Sequence, residues 1–347
     1  MRFEFYHSDL DRIPKLSVDG TVANSIHFSH WEGNQTPAEV KADTSTEIVL
    51  NLVASPNRDE LTQGIELVTN NHFDTDGVLS VWTALAGERA LELRDRLIPA
   101  AEAGDFCELT NEAGVQVSIV IQGPDQAGLE NDSGSPLAGY LAGERVDEAR
   151  AYELVLPEVE RVLTQVDDYE HLWRASWEKI ARAVESFERG SSQVTESLDS
   201  GVSLITLAAE VFSPDGFDPS RHATPVTAIS RYAKGSLFLI ATPLQNGWAY
   251  RIDYPYYSWA ETIVRPRIQR HDFTQLLTEL NQLESGREGV WKLDTNEMTS
   301  AIKFLGSDGK LAASLLAPDV VAGSFQAMLG AQASLPALRA QEASSEK

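Results

Sequence analysis

The sequence contains a single cysteine, Cys107, and no apolar run of the length, about 18 residues or more, that a transmembrane helix needs. One cysteine excludes an intramolecular disulfide and a zinc site built from a cysteine cluster. The opening residues, MRFEFYHSDLDRIPK, also lack the apolar core of a signal peptide. We therefore expect a soluble, cytoplasmic protein that does not enter a membrane.

Basic residues are scarce, since 28 Lys and Arg face 52 Asp and Glu and the net charge is −24. Such a surface repels duplex nucleic acid and anionic membranes. A local basic pocket could still accept one phosphate, so the expected partner is a small anionic substrate. The sequence leaves the oligomeric state open. It also has no nucleophile elbow, phosphate-binding P-loop or dinucleotide fingerprint.

The order of the predicted elements indicates an α/β protein with two parts. Residues 1–190 read as strands alternating with helices, which favours a parallel sheet. The polar stretch 190–201 predicts a boundary, and residues 200–333 read as a smaller α+β domain with antiparallel strands. Residues 334–347 are expected to form a flexible tail.

Several segments carry sharper predictions. Residues 42–55 predict a helix capped by Asp43, Thr44 or Ser45, and 64–71 predict a strand followed by a helix from Val78. Residues 115–123 and 226–230 are rich in β-branched residues and predict further strands. Asn246 and Gly247 predict a hairpin turn between two strands.

The segment NHFDTDG, residues 71–77, is the most informative stretch. It follows a predicted strand, and the carboxyl ends of parallel strands are where such sheets bind ligands. His72, Asp74 and Asp76 alternate, so an extended segment would direct all three side chains to one side. Imidazole and carboxylate ligands suit Mn²⁺, Zn²⁺ or Fe²⁺. An ordinary turn with a helix cap explains the same residues equally well.

The segment HFDTDGVLSVW resembles the first motif of the DHH-type phosphoesterases, a strand followed by His-x-Asp-x-Asp-Gly and a helix. This resemblance implies an α/β fold and a pair of divalent ions, usually Mn²⁺ with Mg²⁺ as the alternative, held by His72, Asp74 and Asp76. The family's Asp-His-His triplet is absent. Asp105 and His171 are the candidates for the remaining ligands. The whole chain also resembles an uncharacterised bacterial family of unknown function.

Other residues are candidates for supporting roles. Arg265 and Arg267 alternate in an aromatic stretch and could bind phosphate, and Ser80 in the helix after the motif could contact substrate. His30 and Asp43 could support the ligands without being ligands themselves. An aromatic core with surface ion pairs explains the two arginines as well.

Two functions are consistent with these features. The first is a metal-dependent phosphoesterase that acts on a small phosphorylated or nucleotide substrate, with His72, Asp74 and Asp76 at its catalytic centre. The second is a non-catalytic ligand-binding protein on a degenerate DHH-like fold.

Overall fold

The computed structural model describes residues 1–124, 134–138, 147–212, 215–285, 288–293 and 299–330. The predicted tail, 334–347, lies outside this range. The chain divides into two compact units. Unit 1 comprises Met1–Ala181, Pro225–Arg231 and Tyr256–Arg267. Unit 2 comprises the remainder, so neither unit is continuous in sequence.

Unit 1 is built on a four-stranded sheet in the order β1-β4-β2-β3, and every neighbouring pair is parallel. Its strands are β1 (Arg2–Phe3), β2 (Lys15–Val18), β3 (Ser25–Phe28) and β4 (Leu67–Thr69). Residues of β2 and β4 are fully buried, as expected for parallel strands covered by helices. The predicted parallel α/β part is therefore confirmed.

Helices make up the rest of unit 1 and extend into unit 2. They are α1 (Ser45–Ala54), α2 (Arg58–Leu61), α3 (Thr75–Ala86), α4 (Glu88–Leu91), α5 (Arg94–Phe106), α6 (Glu112–Gln122), α7 (Glu148–Val155), α8 (Val159–Thr164), α9 (Glu170–Glu188) and α10 (Val226–Tyr232). Short 3-10 turns lie at Ser8–Arg12, Leu156–Glu158, Val166–Tyr169, Ala209–Phe212 and Tyr256–Trp259. Within the described residues, no helix is long and apolar enough to pass through a bilayer.

Two strand predictions are wrong, because 115–123 lies in α6 and 226–230 lies in α10. Most residues of α6 are buried, so no polar stripe marks its helical period in the sequence. Asn111 caps it by accepting a hydrogen bond from the Gly114 amide at 2.7 Å. Burial and this cap outweigh the strand preference of its β-branched residues.

Unit 2 contains a six-stranded sheet in the order β5-β6-β7-β8-β10-β9, in which only β6 and β7 are parallel. Its elements are β5 (Gln193–Ser197), β6 (Val202–Thr206), β7 (Leu237–Leu244), β8 (Gly247–Asp253), α11 (Thr274–Leu283), β9 (Val290–Leu293) and β10 (Ser300–Leu305), and residues 318–330 are helical. The predicted antiparallel α+β part is confirmed. The β7–β8 hairpin also forms, although its turn residues are Gln245 and Asn246.

Candidate metal centre

Three polar side chains come together at the carboxyl edge of the parallel sheet. Asp19 directly follows β2, His30 lies two residues beyond β3, and His72 lies three residues beyond β4. Because β2 runs between β3 and β4, Asp19 lies between the two histidines. Its Oδ1 is 3.3 Å from Nε2 of His30, and its Oδ2 is 3.0 Å from Nε2 of His72. The topology thus brings together residues from three separate stretches of sequence.

The backbone of Asp19 has a φ of 51°, in the left-handed region that few residues other than glycine adopt. Aspartate is among the residues that tolerate this region best. The conformation turns the chain sharply at the end of β2, and the Asp19 amide donates to the carbonyl of Phe28 at 3.1 Å. Unusual backbone geometry of this kind is concentrated at functional sites.

The first group of potential ligands, here called the enclosed group, comprises Asp19, His30, Asp76 and Asp105. One ligand atom from each lies within 4.8 Å of the others. Nε2 of His30 is 3.0 Å from Oδ2 of Asp105 and 3.8 Å from Oδ2 of Asp76. The side chains of His30 and Asp76 are 0% exposed and that of Asp105 is 4% exposed. Buried carboxylates this close together need a compensating charge.

The second group, here called the accessible group, comprises Asp19, His72 and Asp74. Nε2 of His72 is 3.0 Å from Oδ2 of Asp74 and 3.0 Å from Oδ2 of Asp19. The side chains of His72 and Asp74 are 24% and 29% exposed, so solvent reaches this group. The two groups share Asp19 and differ in their accessibility.

Hydrogen bonds to the other ring nitrogen orient both histidines. Nδ1 of His30 donates to the backbone carbonyl of Asp43 at 2.6 Å, and Nδ1 of His72 donates to Oδ1 of Asn71 at 3.1 Å. Both acceptors are oxygens that carry no proton, so the proton on Nδ1 is fixed. Nε2 is therefore the nitrogen that faces the groups and the one available to a metal.

The amino end of α1 supports the acidic residues of the enclosed group. The amides of Ser45 and Thr46 donate to Oδ2 and Oδ1 of Asp76, at 2.7 and 2.8 Å. The hydroxyl of Ser45 donates to Oδ1 of Asp19 at 2.8 Å. Thr44 caps this helix, as predicted, by accepting from the amide of Glu47. A helix amino terminus stabilises negative charge, which helps to hold Asp76 in place.

Unpartnered polar atoms are concentrated at this site. Among the described residues, nine buried side-chain nitrogen and oxygen atoms have no hydrogen-bond partner. Seven of these belong to the two groups or to residues beside them, namely Asp19, His30, Trp31, Asn70, His72, Asp105 and Tyr152. Several ligand atoms lie about 3 Å apart without the angles that a hydrogen bond requires. This is the geometry of atoms that converge on a common point, as metal ligands do.

The pKa values follow from burial and close charges. Burial and the charge of Asp19 raise the pKa of Asp76 to about 7. Burial and the charges of Asp74 and Asp76 hold the pKa of Asp105 well above its usual range. Burial alone would lower the pKa of His72, but the charge of Asp74 and the close Asp19 carboxylate raise it to about 12. The metal-free cluster therefore retains protons that a divalent cation would replace.

The donor set fits a divalent transition metal. Imidazole nitrogen and carboxylate oxygen are the only donors in the two groups, and no sulfur takes part. Such mixed sites suit Mn²⁺, Fe²⁺ or Zn²⁺. The buried cluster of acidic residues and histidines could thus hold a metal ion, as the sequence predicts.

The structure brings together four of the five predicted ligands: His72, Asp74, Asp76 and Asp105. His171 lies exposed on α9 and belongs to neither group. Asp105 lies near the end of α5 rather than after a strand. His30, predicted as a supporting residue, is itself a member of the enclosed group.

The remaining predicted residues have other contacts. Asp43 supports His30 through its backbone carbonyl. Ser80 is fully buried, and its hydroxyl donates to the carbonyl of Gly77 at 2.9 Å. Arg265 forms ion pairs with Asp43, Glu102 and Glu108, at 2.8, 2.7 and 2.6 Å, whereas Arg267 is exposed. Ser80 thus bonds within its own helix, and every nitrogen of the Arg265 guanidinium bonds to a carboxylate.

Asp19 is the residue that sequence reasoning missed. It lies in KLSVDG, where an apolar strand ends at an Asp-Gly pair. The same dipeptide at Asp76 and Gly77 lies in the first turn of α3. A strand end with an acidic residue and glycine is thus the available signal, although Asp-Gly also marks ordinary turns. Its partners are remote in sequence, so only the strand order identifies it as the shared ligand.

Comparisons with known proteins give a family but no activity. Neither the search of curated proteins nor the search of solved structures gave a match. A family model described as a family of unknown function, DUF6687, matches residues 1–316. This match covers most of the chain, including all residues of both ligand groups. The chain therefore belongs to this family of unknown function, DUF6687.

Proposed function

We propose that the protein is a divalent-metal-dependent phosphoesterase that acts on a small phosphorylated or nucleotide substrate. The observation that carries the proposal is the position of Asp19, with one carboxylate oxygen 3.3 Å from His30 and the other 3.0 Å from His72. A shared carboxylate of this kind suits two cations at close range. Phosphatases and nucleases commonly use metal pairs about 3.5–4 Å apart.

When bound, the metal pair would supply Lewis acidity and activate water. The enclosed group would hold one ion away from solvent, and the accessible group would present the other to a substrate. His72 and Asp74 are the ligands exposed to solvent, so the substrate would approach on their side. Mn²⁺ is the first ion to test, because the ligands are mainly carboxylate and because HFDTDG resembles the first DHH motif.

The proposal is tested by titrating chelator-treated protein with Mn²⁺ by calorimetry. Wild type is expected to bind about two ions per chain. Asp19→Asn keeps the shape of the side chain but removes the shared charge, so both ions should bind much more weakly. Asp59→Asn, at an exposed position on α2, is the control and should bind as wild type does. Absence of Mn²⁺ binding in the wild type would refute the proposal.

Hydrolysis is then measured as Mn²⁺-dependent cleavage of a nitrophenyl phosphate monoester and of the corresponding diester. Activity in the wild type and Asp59→Asn, lost in Asp19→Asn, would support the phosphoesterase. The assay also ranks monoester against diester, which defines the substrate class.

A non-catalytic metal-binding protein is the second candidate. Two observations favour it: the enclosed group is shielded from solvent, and Arg265 is neutralised by three carboxylates. This alternative predicts Mn²⁺ binding in the wild type without hydrolysis of either ester. The two assays together therefore separate the two functions.

A further inference from the structure

Two neutral side chains next to the accessible group are buried, and each has one polar atom that makes no hydrogen bond of acceptable geometry. Asn70 is 0% exposed and Tyr152 is 1% exposed. The Nδ2 atom of Asn70 and the hydroxyl of Tyr152 make no hydrogen bond of acceptable geometry among the described residues. They are neighbours, since burial holds the pKa of Tyr152 well above its usual range and the Asn70 side chain acts in the opposite direction. A buried polar group left unpaired costs about 1–3 kcal/mol, so two such groups at one place call for an explanation.

The space around Gly77 shows where Nδ2 of Asn70 and the Tyr152 hydroxyl lie. A Cβ atom on Gly77 would be 2.4 Å from Nδ2 of Asn70, 2.8 Å from the Tyr152 hydroxyl and 3.0 Å from Oδ1 of Asp74. All three polar atoms therefore surround one point on the first turn of α3. Glycine is required there because any side chain would displace them. Since Asp74 is a member of the accessible group, Nδ2 of Asn70 and the Tyr152 hydroxyl lie at the edge of that group.

Both donors are held rigidly. Oδ1 of Asn70 accepts hydrogen bonds from the amides of Asn71 and His72, at 2.5 and 3.1 Å, which leaves the NH₂ side of the amide as the unpartnered one. The ring of Tyr152 packs against Phe3, Phe5 and Phe73, with centroid distances of 4.7, 5.8 and 5.4 Å. A donor fixed in advance loses little entropy when it binds a ligand.

Their chemistry indicates an oxyanion. Nδ2 of Asn70 can only donate, and the hydroxyl of Tyr152 can donate its proton. Arg265, the cation that the sequence suggests for phosphate, is already paired with three carboxylates. Neutral donors can bind an anion in a strongly acidic chain without forming ion pairs with the surrounding carboxylates.

Building on the proposed function, we propose that Asn70 and Tyr152 bind an oxygen of the substrate's phosphate group at the accessible group. The cations would attract the anion, and the two donors would fix its orientation. The site would favour tetrahedral oxyanions over planar carboxylates, because one oxygen points to the donors while others face the ligand group.

The test uses the full-length protein loaded with Mn²⁺ and inorganic phosphate as the probe. Phosphate affinity is measured by calorimetry for wild type, Tyr152→Phe and Asn70→Asp, the last of which keeps the Oδ1 acceptor and removes the donor. Tyr169→Phe is the matched control, since it loses a hydroxyl that bonds to Glu158 at 2.6 Å elsewhere in unit 1. Mn²⁺ affinity and thermal unfolding are measured for every variant.

Tyr152→Phe should bind phosphate about tenfold more weakly or worse, as expected when a hydrogen bond to a charged group is lost. Its Mn²⁺ affinity should stay within about twofold of wild type. Asn70→Asp should also bind phosphate more weakly, and Tyr169→Phe should bind it as wild type does. If Tyr152→Phe fails to fold, Asn70→Leu, which removes the donor without adding a negative charge, decides the question.

Phosphate affinity that is unchanged in both variants would overturn the inference. A loss of Mn²⁺ affinity parallel to the loss of phosphate would also overturn it, because Tyr152 would then act by positioning Asp74. Either result can occur while the wild type binds Mn²⁺ and cleaves phosphoesters, so the proposed function would stand. If the wild type binds no Mn²⁺, the proposed function fails and this inference fails with it.

Discussion

Nε2 of His30 lies 3.0 Å from Oδ2 of Asp105, and neither atom has a hydrogen-bond partner of acceptable geometry among the described residues. The two residues come from the end of a strand region and the end of a helix, 75 positions apart in the sequence. Packing them together without solvent is costly unless a cation or a proton lies between them. This pair therefore defines the enclosed side of the centre, and its properties differ from those of the accessible side.

The enclosed and accessible groups should release their metal ions at different rates. Asp105→Asn removes a carboxylate from the enclosed group alone, and Asp74→Asn removes one from the accessible group alone. Asparagine caps helices as well as aspartate does, so Asp74→Asn preserves the amino end of α3. We expect wild-type protein to release its two Mn²⁺ ions to a chelator in a fast and a slow phase. Asp74→Asn should lose the fast phase and Asp105→Asn the slow one, and loss of the same phase in both would contradict two distinct positions.

Asp105→Asn should also change the thermal stability of the protein. Without metal, burial and the charges of Asp74 and Asp76 raise the pKa of Asp105, so its ionised form is unfavourable in the folded protein. Metal-free Asp105→Asn should therefore melt no lower than metal-free wild type. With Mn²⁺ present the order should reverse, because ligand binding stabilises only the protein that binds it. Thermal unfolding with and without Mn²⁺ measures both, and an equal melting shift in the two proteins would contradict the assignment.

The sequence predicts the local parts of the site better than the long-range parts. NHFDTDG places His72, Asp74 and Asp76 within one contiguous strand, turn and helix, so its pattern can be read directly. Asp19 and His30 join the site only through the strand order β4-β2-β3. That order depends on packing across the whole sheet, and a single sequence does not encode it in a local pattern.

Other differences have the same physical origin. The strands predicted at 115–123 and 226–230 are helices because tertiary burial outweighs local β propensity. The sequence suggests Arg265 as a possible phosphate ligand because it stands in a cluster of arginines and aromatics. Its carboxylate partners, Glu102 and Glu108, lie more than 150 positions away. Charge pairing over such a separation is decided by the fold.

Gly77→Ala should damage the site. Alanine normally stabilises a helix by about 1 kcal/mol relative to glycine. Here its methyl group would lie 2.4 Å from Nδ2 of Asn70 and 2.8 Å from the Tyr152 hydroxyl, so a net destabilisation of about 1–3 kcal/mol is expected. Gly323→Ala is the control, since Gly323 is exposed in a helical stretch and nothing lies within 4 Å of the added atom. Chemical denaturation measures the free energy of unfolding of both variants. Equal changes in Gly77→Ala and Gly323→Ala would contradict the expected crowding at Gly77.

Arg265→Lys should reduce stability without reducing phosphate affinity. The guanidinium bonds to three carboxylates at once, and the Asp43 carboxylate also accepts from the amides of Val264 and Arg265, at 2.8 and 3.0 Å. Lysine keeps the charge but has a single ammonium group that cannot bond to three carboxylates in the same geometry. The free energy of unfolding should therefore fall by about 1–3 kcal/mol. Arg267→Lys, at an exposed position, should change neither quantity. If Arg265→Lys instead bound phosphate more weakly and kept its stability, Arg265 would be a substrate contact.

Mn²⁺ binding should release protons and should strengthen as pH rises. The charge of Asp74 and the close Asp19 carboxylate outweigh burial and raise the pKa of His72 to about 12, so its imidazole is protonated at neutral pH in the metal-free protein. A cation can use Nε2 only after that proton leaves, and His30, whose pKa is also raised, behaves in the same way. Calorimetry in buffers of different ionisation enthalpy should show at least two protons released at pH 7, one from each histidine, with a further contribution from Asp76 and Asp105, whose pKa values are also raised. Asp74→Asn should reduce this number, because His72 loses the neighbouring charge that holds its proton. A binding heat that is independent of the buffer would contradict metal coordination through these histidines.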